Sequence, residues 1–118
     1  MFSLPYSKYT AALIGGIVCG GLSFAAQAQT AATEFKLVIQ AHQFEPAEIK
    51  VPANQRVKLI IQNKDNTPEE FESHSLKREK VVPANGQIVI FIGPLKPGRY
   101  EFMGEFNPAT AKGAVIAE

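Results

Sequence analysis

Acidic residues are missing from the first 33 positions of this chain, and cysteine is missing everywhere except at Cys19. No run of roughly 20 consecutive apolar residues occurs, which is the length a membrane-spanning helix needs. The longest apolar stretch is short and glycine-rich, from Ala11 to Leu22. Lys8 precedes it, and the small-x-small triplet Ala26-Gln27-Ala28 follows it. Positive start, apolar middle and small-residue end are the three parts of a secretory signal. Residues 1–28 are therefore expected to be a cleavable signal peptide that sends the rest of the chain to the periplasm. Lipid attachment at Cys19 is disfavoured, because the residue before it, Val18, is not small.

Removing residues 1–28 takes away Lys8 and Cys19 and leaves eleven basic residues facing eleven acidic ones. A formal charge of zero gives no electrostatic case for nucleic acid or anionic lipid as a partner. Without cysteine there is no disulfide, thiolate ligand or thiol nucleophile. The remaining chain of about 90 residues must draw its stability from one modest apolar core.

What is there reads as strands and turns. Phe35, Leu37 and Ile39 alternate with Lys36, Val38 and Gln40, and Val57, Leu59 and Ile61 alternate with Lys58 and Ile60. This is the period of a half-buried strand. Further strands are expected at 70–76, 87–92, 99–103 and 114–117, with another around Phe44-x-Pro46. Turn chemistry punctuates them at Val51-Pro52-Ala53-Asn54, Asn63-Lys64-Asp65-Asn66, Val82-Pro83-Ala84-Asn85-Gly86 and Lys96-Pro97-Gly98. No long helical period is present, and residues 107–112 are expected to make at most one helical turn. The fold class is all-β, a sandwich over 34–118 preceded by a flexible tail at 29–33.

The order Phe44-x-Pro46-x-x-Ile49-x-Val51-Pro52-Ala53, Asn63-Lys64-Asp65, Pro97-Gly98-x-Tyr100-x-Phe102 and Gly113-Ala114-Val115-Ile116 resembles the cupredoxin-like domains of bacterial periplasmic proteins. That resemblance implies a cupredoxin-like Greek-key β-sandwich. The segments Thr67-Pro68-Glu69-Glu70-Phe71-Glu72-Ser73, Glu79-Lys80-Val81-Val82-Pro83, Gly93-Pro94-Leu95-Lys96-Pro97-Gly98 and Gly104-Glu105-Phe106-Asn107 are similar to the cupredoxin-like component of bacterial ferrous-iron uptake systems. This implies partners, namely an inner-membrane iron permease and a periplasmic iron-binding protein.

A blue-copper site needs two imidazoles, a thiolate and a weak axial ligand. By the resemblance, those four positions fall at Glu69, Gly104, Asn107 and Ala111. All four are replaced, so no type 1 copper centre is expected. Carboxylates gather in the same segments: Glu69, Glu70, Glu72 and Glu105, with His42, His74 and Met103 also available. Carboxylate and imidazole suit iron, divalent copper or manganese better than monovalent copper. The expected cofactor is thus an iron or copper ion.

On an extended strand Glu70, Glu72 and His74 share one face, and Glu69, Phe71 and Ser73 the other. Two groupings follow. In one, Glu69 and Glu105 meet at the loop end with Glu70 or Glu72, near His42 and Met103. In the other, Glu70, Glu72 and His74 cluster on the outer face. A third possibility is a solvated acidic face answered by Lys64, Lys77, Arg78 and Lys80. Glu79 is expected to pair with Arg78 or Lys80 and is not counted as a ligand; His74 is expected at the surface. No Gly-rich phosphate loop, zinc-finger spacing or His-Glu-x-x-His occurs, so hydrolysis and group transfer have no support. Three readings stay open: iron handling, a divalent-copper accessory, and a metal-free interaction module.

Overall fold

The computed structural model describes residues 20–21 and 32–118. The expected signal peptide therefore lies almost wholly outside the described residues, as does most of the expected tail. Nine strands follow in order: β1 Thr33–Gln40, β2 Gln43–Glu45, β3 Glu48–Val51, β4 Val57–Asn63, β5 Glu69–Ser73, β6 Arg78–Val82, β7 Gln87–Ile92, β8 Gly98–Gly104 and β9 Lys112–Ala117. They form a four-stranded sheet, β2-β1-β4-β7, and a five-stranded sheet, β3-β9-β8-β5-β6. Among the described residues there is no helix.

Alternation decides which side of each strand is buried. In β4 the residues Val57, Leu59, Ile61 and Asn63 are buried, and those between them are half-buried. Strand β7 buries Ile88, Ile90 and Ile92 and exposes the residues between them. These side chains, with Leu37 and Ile39 of β1, meet Ile49, Val51, Phe71, Val82, Phe102 and Val115 of the other sheet in one core. Each such side chain contributes about 1.5–3 kcal/mol through removal from water. Phe44, Phe71 and Phe102 pack as a trio, with ring centroids 4.9 to 6.2 Å apart. Gly113 leaves room for it, since a Cβ there would lie 2.5 Å from the Phe102 ring.

Strand β1 starts at Thr33, which pairs with Val57, so the ordered sandwich begins one residue before the expected boundary. The strand expected over 70–76 ends at Ser73, and a turn at 74–77 leads into β6. No alternation in the sequence marks a strand at Arg78-Glu79-Lys80. They form one because β6 is an edge strand, where nearly every side chain is exposed and no alternation is required.

One end of the sandwich gathers the ends of β1, β4 and β8 and the starts of β2, β5, β7 and β9. Asn63, 1% exposed, shapes it. Its Oδ1 accepts from Asp65 N at 2.9 Å, and its Nδ2 donates to Thr67 O and Val82 O. The chain is thereby bent toward β5. Asp65 in turn accepts from the backbone N–H of Ala41 and of His42, at 2.8 and 3.0 Å. Those two residues make the β1–β2 turn with φ of 51° and 55°, a left-handed geometry in which a non-glycine residue costs about 1–2 kcal/mol. The two Asp65 hydrogen bonds offset that strain.

Candidate metal centre

Strand β5 sets the geometry of the loop end. Its burial alternates so that Glu69, Phe71 and Ser73 point inward and Glu70 and Glu72 outward. Expected Glu69, Gly104, Asn107 and Ala111 do converge. A Cβ built on Gly104 would lie 2.5 Å from Glu69 Cδ and 2.7 Å from Ala111 Cβ. Asn107 Nδ2 donates to Glu69 Oε2 at 2.8 Å. Glu69 Oε1 accepts from Phe106 N at 2.8 Å and from Glu70 N at 3.0 Å. The residue is 1% exposed. The turn after β8 is closed by Ala111 N donating to Asn107 O at 2.9 Å, the single helical turn expected there.

These residues do not fit a type 1 copper ion. The position that would carry the thiolate is a glycine with no room for a side chain. The space in front of it holds the Glu69 carboxylate, whose oxygens already accept three hydrogen bonds.

The outward face is different. Glu70, Glu79 and Glu105 each place a carboxylate oxygen within 4.8 Å of the others. Register brings them together: Glu105 N donates to Glu70 O at 2.8 Å, which extends the β5–β8 pairing past Gly104, and Glu72 lies opposite Glu79 on β6. Glu79 pushes the Glu70 carboxyl up to about 7, with partial burial and Glu105 adding to the rise. Partial burial also raises Glu72, and Glu105 beside it works in the same direction. A carboxylate crowded by carboxylates holds its proton or exchanges it for a cation.

The sequence-expected residues are thus divided. Glu70, Glu72 and Glu105 share the outer face. Glu69 faces the interior and does not share a face with Glu105. Met103 is half-buried on the outer face directly opposite Glu72, not in the core. It lines a groove of about 840 Å³ with Glu72, His74, Glu101 and Lys112. His74 is 91% exposed at its side chain, with Nε2 3.5 Å from Glu72 Oε1. His42 is held apart from the cluster in the β1–β2 turn, its Nδ1 3.6 Å from Asp65 Oδ2.

Glu79 is the residue that sequence reasoning set aside. The expected partner Arg78 reaches elsewhere: its Nε and Nη2 donate to Phe91 O on β7, at 3.0 and 2.9 Å. The missing signal was the β5–β6 hairpin register, which carries Glu79 across from Glu72.

A two-sheet sandwich with Glu69, Gly104, Asn107 and Ala111 gathered at one loop end defines the class. The profile of the cupredoxin-like domain matches residues 12–117, and the chain belongs to that family. An uncharacterized protein of Rickettsia prowazekii (strain Madrid E) is 48% identical over 83 residues, which is 70% of this chain and 66% of that protein's length. The chain is thus matched to just under two thirds of that relative. Among solved structures, the metal-binding domain of the Streptococcus pneumoniae D39 Cu(I)-exporting P-type ATPase CopA superposes with a TM-score of 0.63 at 16% identity, covering 72% of this chain and 84% of that one. Auracyanin A, a "blue" copper protein of Chloroflexus aurantiacus, gives 0.63 at 9%, covering 74% and 99%. Amicyanin of Paracoccus versutus gives 0.57 at 15%, covering 79% and 87%. At these identities the likeness is one of fold.

Proposed function

We propose that this protein is a metal-handling cupredoxin-like domain that takes a divalent iron or copper ion on the outer face of its five-stranded sheet. The observation that carries the reading is the convergence of Glu70, Glu79 and Glu105 within 4.8 Å. Glu72 lies beside them, and His74 and Met103 are further donors on that face. Carboxylate oxygens favour iron, divalent copper or manganese over monovalent copper. The signal-like start of the chain and the resemblance to ferrous-iron uptake components support a periplasmic place beside an iron permease and an iron-binding protein. In that setting the ion is cargo.

The test is titration of the chain with ferrous iron under anaerobic conditions and with divalent copper, repeated on Glu70→Gln/Glu79→Gln/Glu105→Gln. Measurable binding that the triple variant loses is expected. Equal affinity in the variant removes the site. Copper-treated protein should give a type 2 electron paramagnetic resonance spectrum without intense visible colour.

One observation favours a second reading, a metal-free interaction module. The position of the family's ligands is filled by a hydrogen-bonded carboxylate, as in a domain kept for its surface. Capture of an inner-membrane permease by the triple variant as well as by the wild type would favour it.

A further inference from the structure

We infer that Glu69 is a positioning residue for the outer-face carboxylates, clamping the backbone beside Glu70 to the backbone beside Glu105 from the interior side. The inference rests on the reading of that face as a cation site, and deepens it.

Three like charges within 4.8 Å repel one another, so something must hold them. The ladder between β5 and β8 supplies little. Paired residues end at Phe71 with Gly104, and the one ladder bond beyond is Glu105 N to Glu70 O. After it the chain turns away through Phe106 and Asn107. The Glu69 carboxylate lies behind this point. One oxygen accepts from both Glu70 N and Phe106 N, and the other from the Asn107 amide. The two backbone donors flank the bond that aligns Glu70 with Glu105. Gly104 is what lets the carboxylate lie there, because any Cβ would strike it.

The donor pattern also explains the residue type. Three N–H groups point at one buried side chain, and an ionised carboxylate accepts at every lone pair without donating. Glutamine can keep the clamp in one way only. Its oxygen retains the two backbone donors while its amide nitrogen donates to Asn107 Oδ1, after Asn107 turns its amide over. Methionine fills the space and keeps no bond.

The roles of ligand and positioner predict different orders of damage. If Glu69 positions, Glu69→Gln retains ferrous-iron or divalent-copper affinity while Glu69→Met, with every outer carboxylate intact, loses about 10–100-fold, as loss of groups that orient ligands does. If Glu69 binds the ion itself, the two variants lose affinity alike, and the inference is overturned. A general loss of stability is controlled with Val115→Ala, a core change away from the cluster, which should lower the thermal midpoint and leave affinity unchanged. Should Glu69→Met not fold, Gly104→Ala crowds the same carboxylate, and where amide exchange shows Phe106 N–H released the same loss of affinity is expected.

A readout without metal separates this inference from the functional reading. In amide hydrogen exchange, Phe106 N–H is protected in the wild type and in Glu69→Gln, and exposed in Glu69→Met. Nuclear Overhauser contacts between Glu70 and Glu105 weaken in parallel. Wild-type protein that binds no cation but shows this pattern removes the proposed function and keeps the positioning role. Undiminished Phe106 protection and Glu70–Glu105 contacts in Glu69→Met overturn the positioning role whatever the metal result.

Discussion

Adding one methyl group at position 104 should reveal how tightly the Glu69 carboxylate fills the loop end. In Gly104→Ala the new Cβ meets Glu69 Cδ at 2.5 Å, Ala111 Cβ at 2.7 Å and Glu69 Oε1 at 2.8 Å. Contacts that short cannot persist, so either Glu69 or the turn that bears Ala111 must move. Overpacking of a filled interior costs about 1–3 kcal/mol. A displaced Glu69 also loses hydrogen bonds to a charged group, each about 1.5–3 kcal/mol. With one such bond lost, the variant should be about 2.5–6 kcal/mol less stable, and a domain of this size then melts at least about 10 °C lower. Glu69→Ala should cost about as much, because it leaves the N–H groups of Glu70 and Phe106 and the Asn107 amide without their acceptor.

The informative quantity is the combination. Once Glu69 is alanine, the methyl at 104 no longer meets the Glu69 carboxyl and keeps only its close contact with Ala111 Cβ, so the double variant should lose about 1–2 kcal/mol less than the two single losses summed. Urea denaturation followed by circular dichroism at constant pH measures all three. Additivity to within about 0.5 kcal/mol would mean that the two positions do not compete for space, and would refute this account of the filled site.

Other outcomes follow from the same geometry. Glu70 has a folded-state value of about 7 against an ordinary 4.5, so the folded protein loses stability as pH rises from 4.5 through 7. Glu70→Gln should flatten that decline, gaining melting temperature over the wild type at pH 8 and little at pH 4; a uniform gain would contradict it. Cation affinity in the wild type should fall below about pH 7, because the proton on Glu70 must leave before an ion binds; a flat profile from pH 5 to 8 would count against that carboxylate as a ligand. His42→Gly should raise stability by about 0.5–1 kcal/mol by relieving the left-handed backbone at φ 55°, and leave cation affinity unchanged. Arg78→Ala should promote self-association measurable by light scattering, because Phe91 O on the edge of the four-stranded sheet loses its cover.

Much of the fold could be read from side-chain alternation. β1, β4 and β7 carry the period of a half-buried strand, and β7 matches its expected span of 87–92. The two faces of β5 were readable for the same reason, whereas the convergence of Glu69, Gly104, Asn107 and Ala111 was implied only by the family resemblance. The site itself was readable only in part. Glu69 and Glu105 looked like partners because the resemblance puts Glu69 on one ligand position and Glu105 beside another, yet Glu105 sits one residue past the inward-facing Gly104 and so projects to the opposite face from Glu69. Two of the three donors to Glu69, Phe106 N and the Asn107 amide, lie far downstream, which no local pattern announces. Glu79 was missed because β6 is an exposed edge strand without alternation, and hairpin register, not composition, sets it against Glu72.

The pairing order of the five-stranded sheet has a further consequence for how the protein assembles. Glu70, Glu72 and Glu79 belong to one hairpin, β5–β6, whose strands are joined by a short turn and can meet early. Glu105 arrives on β8, and β8 is braced by β9, which must slot in parallel beside β3, Glu48 against Ala114. Parallel pairing across so much chain is entropically slow to form. The last carboxylate should therefore reach the cluster in a late step of folding, after the hairpin that receives it. An ion could speed that step only if it already engaged the hairpin's three glutamates, which makes refolding rate in the presence and absence of metal a kinetic view of the same surface.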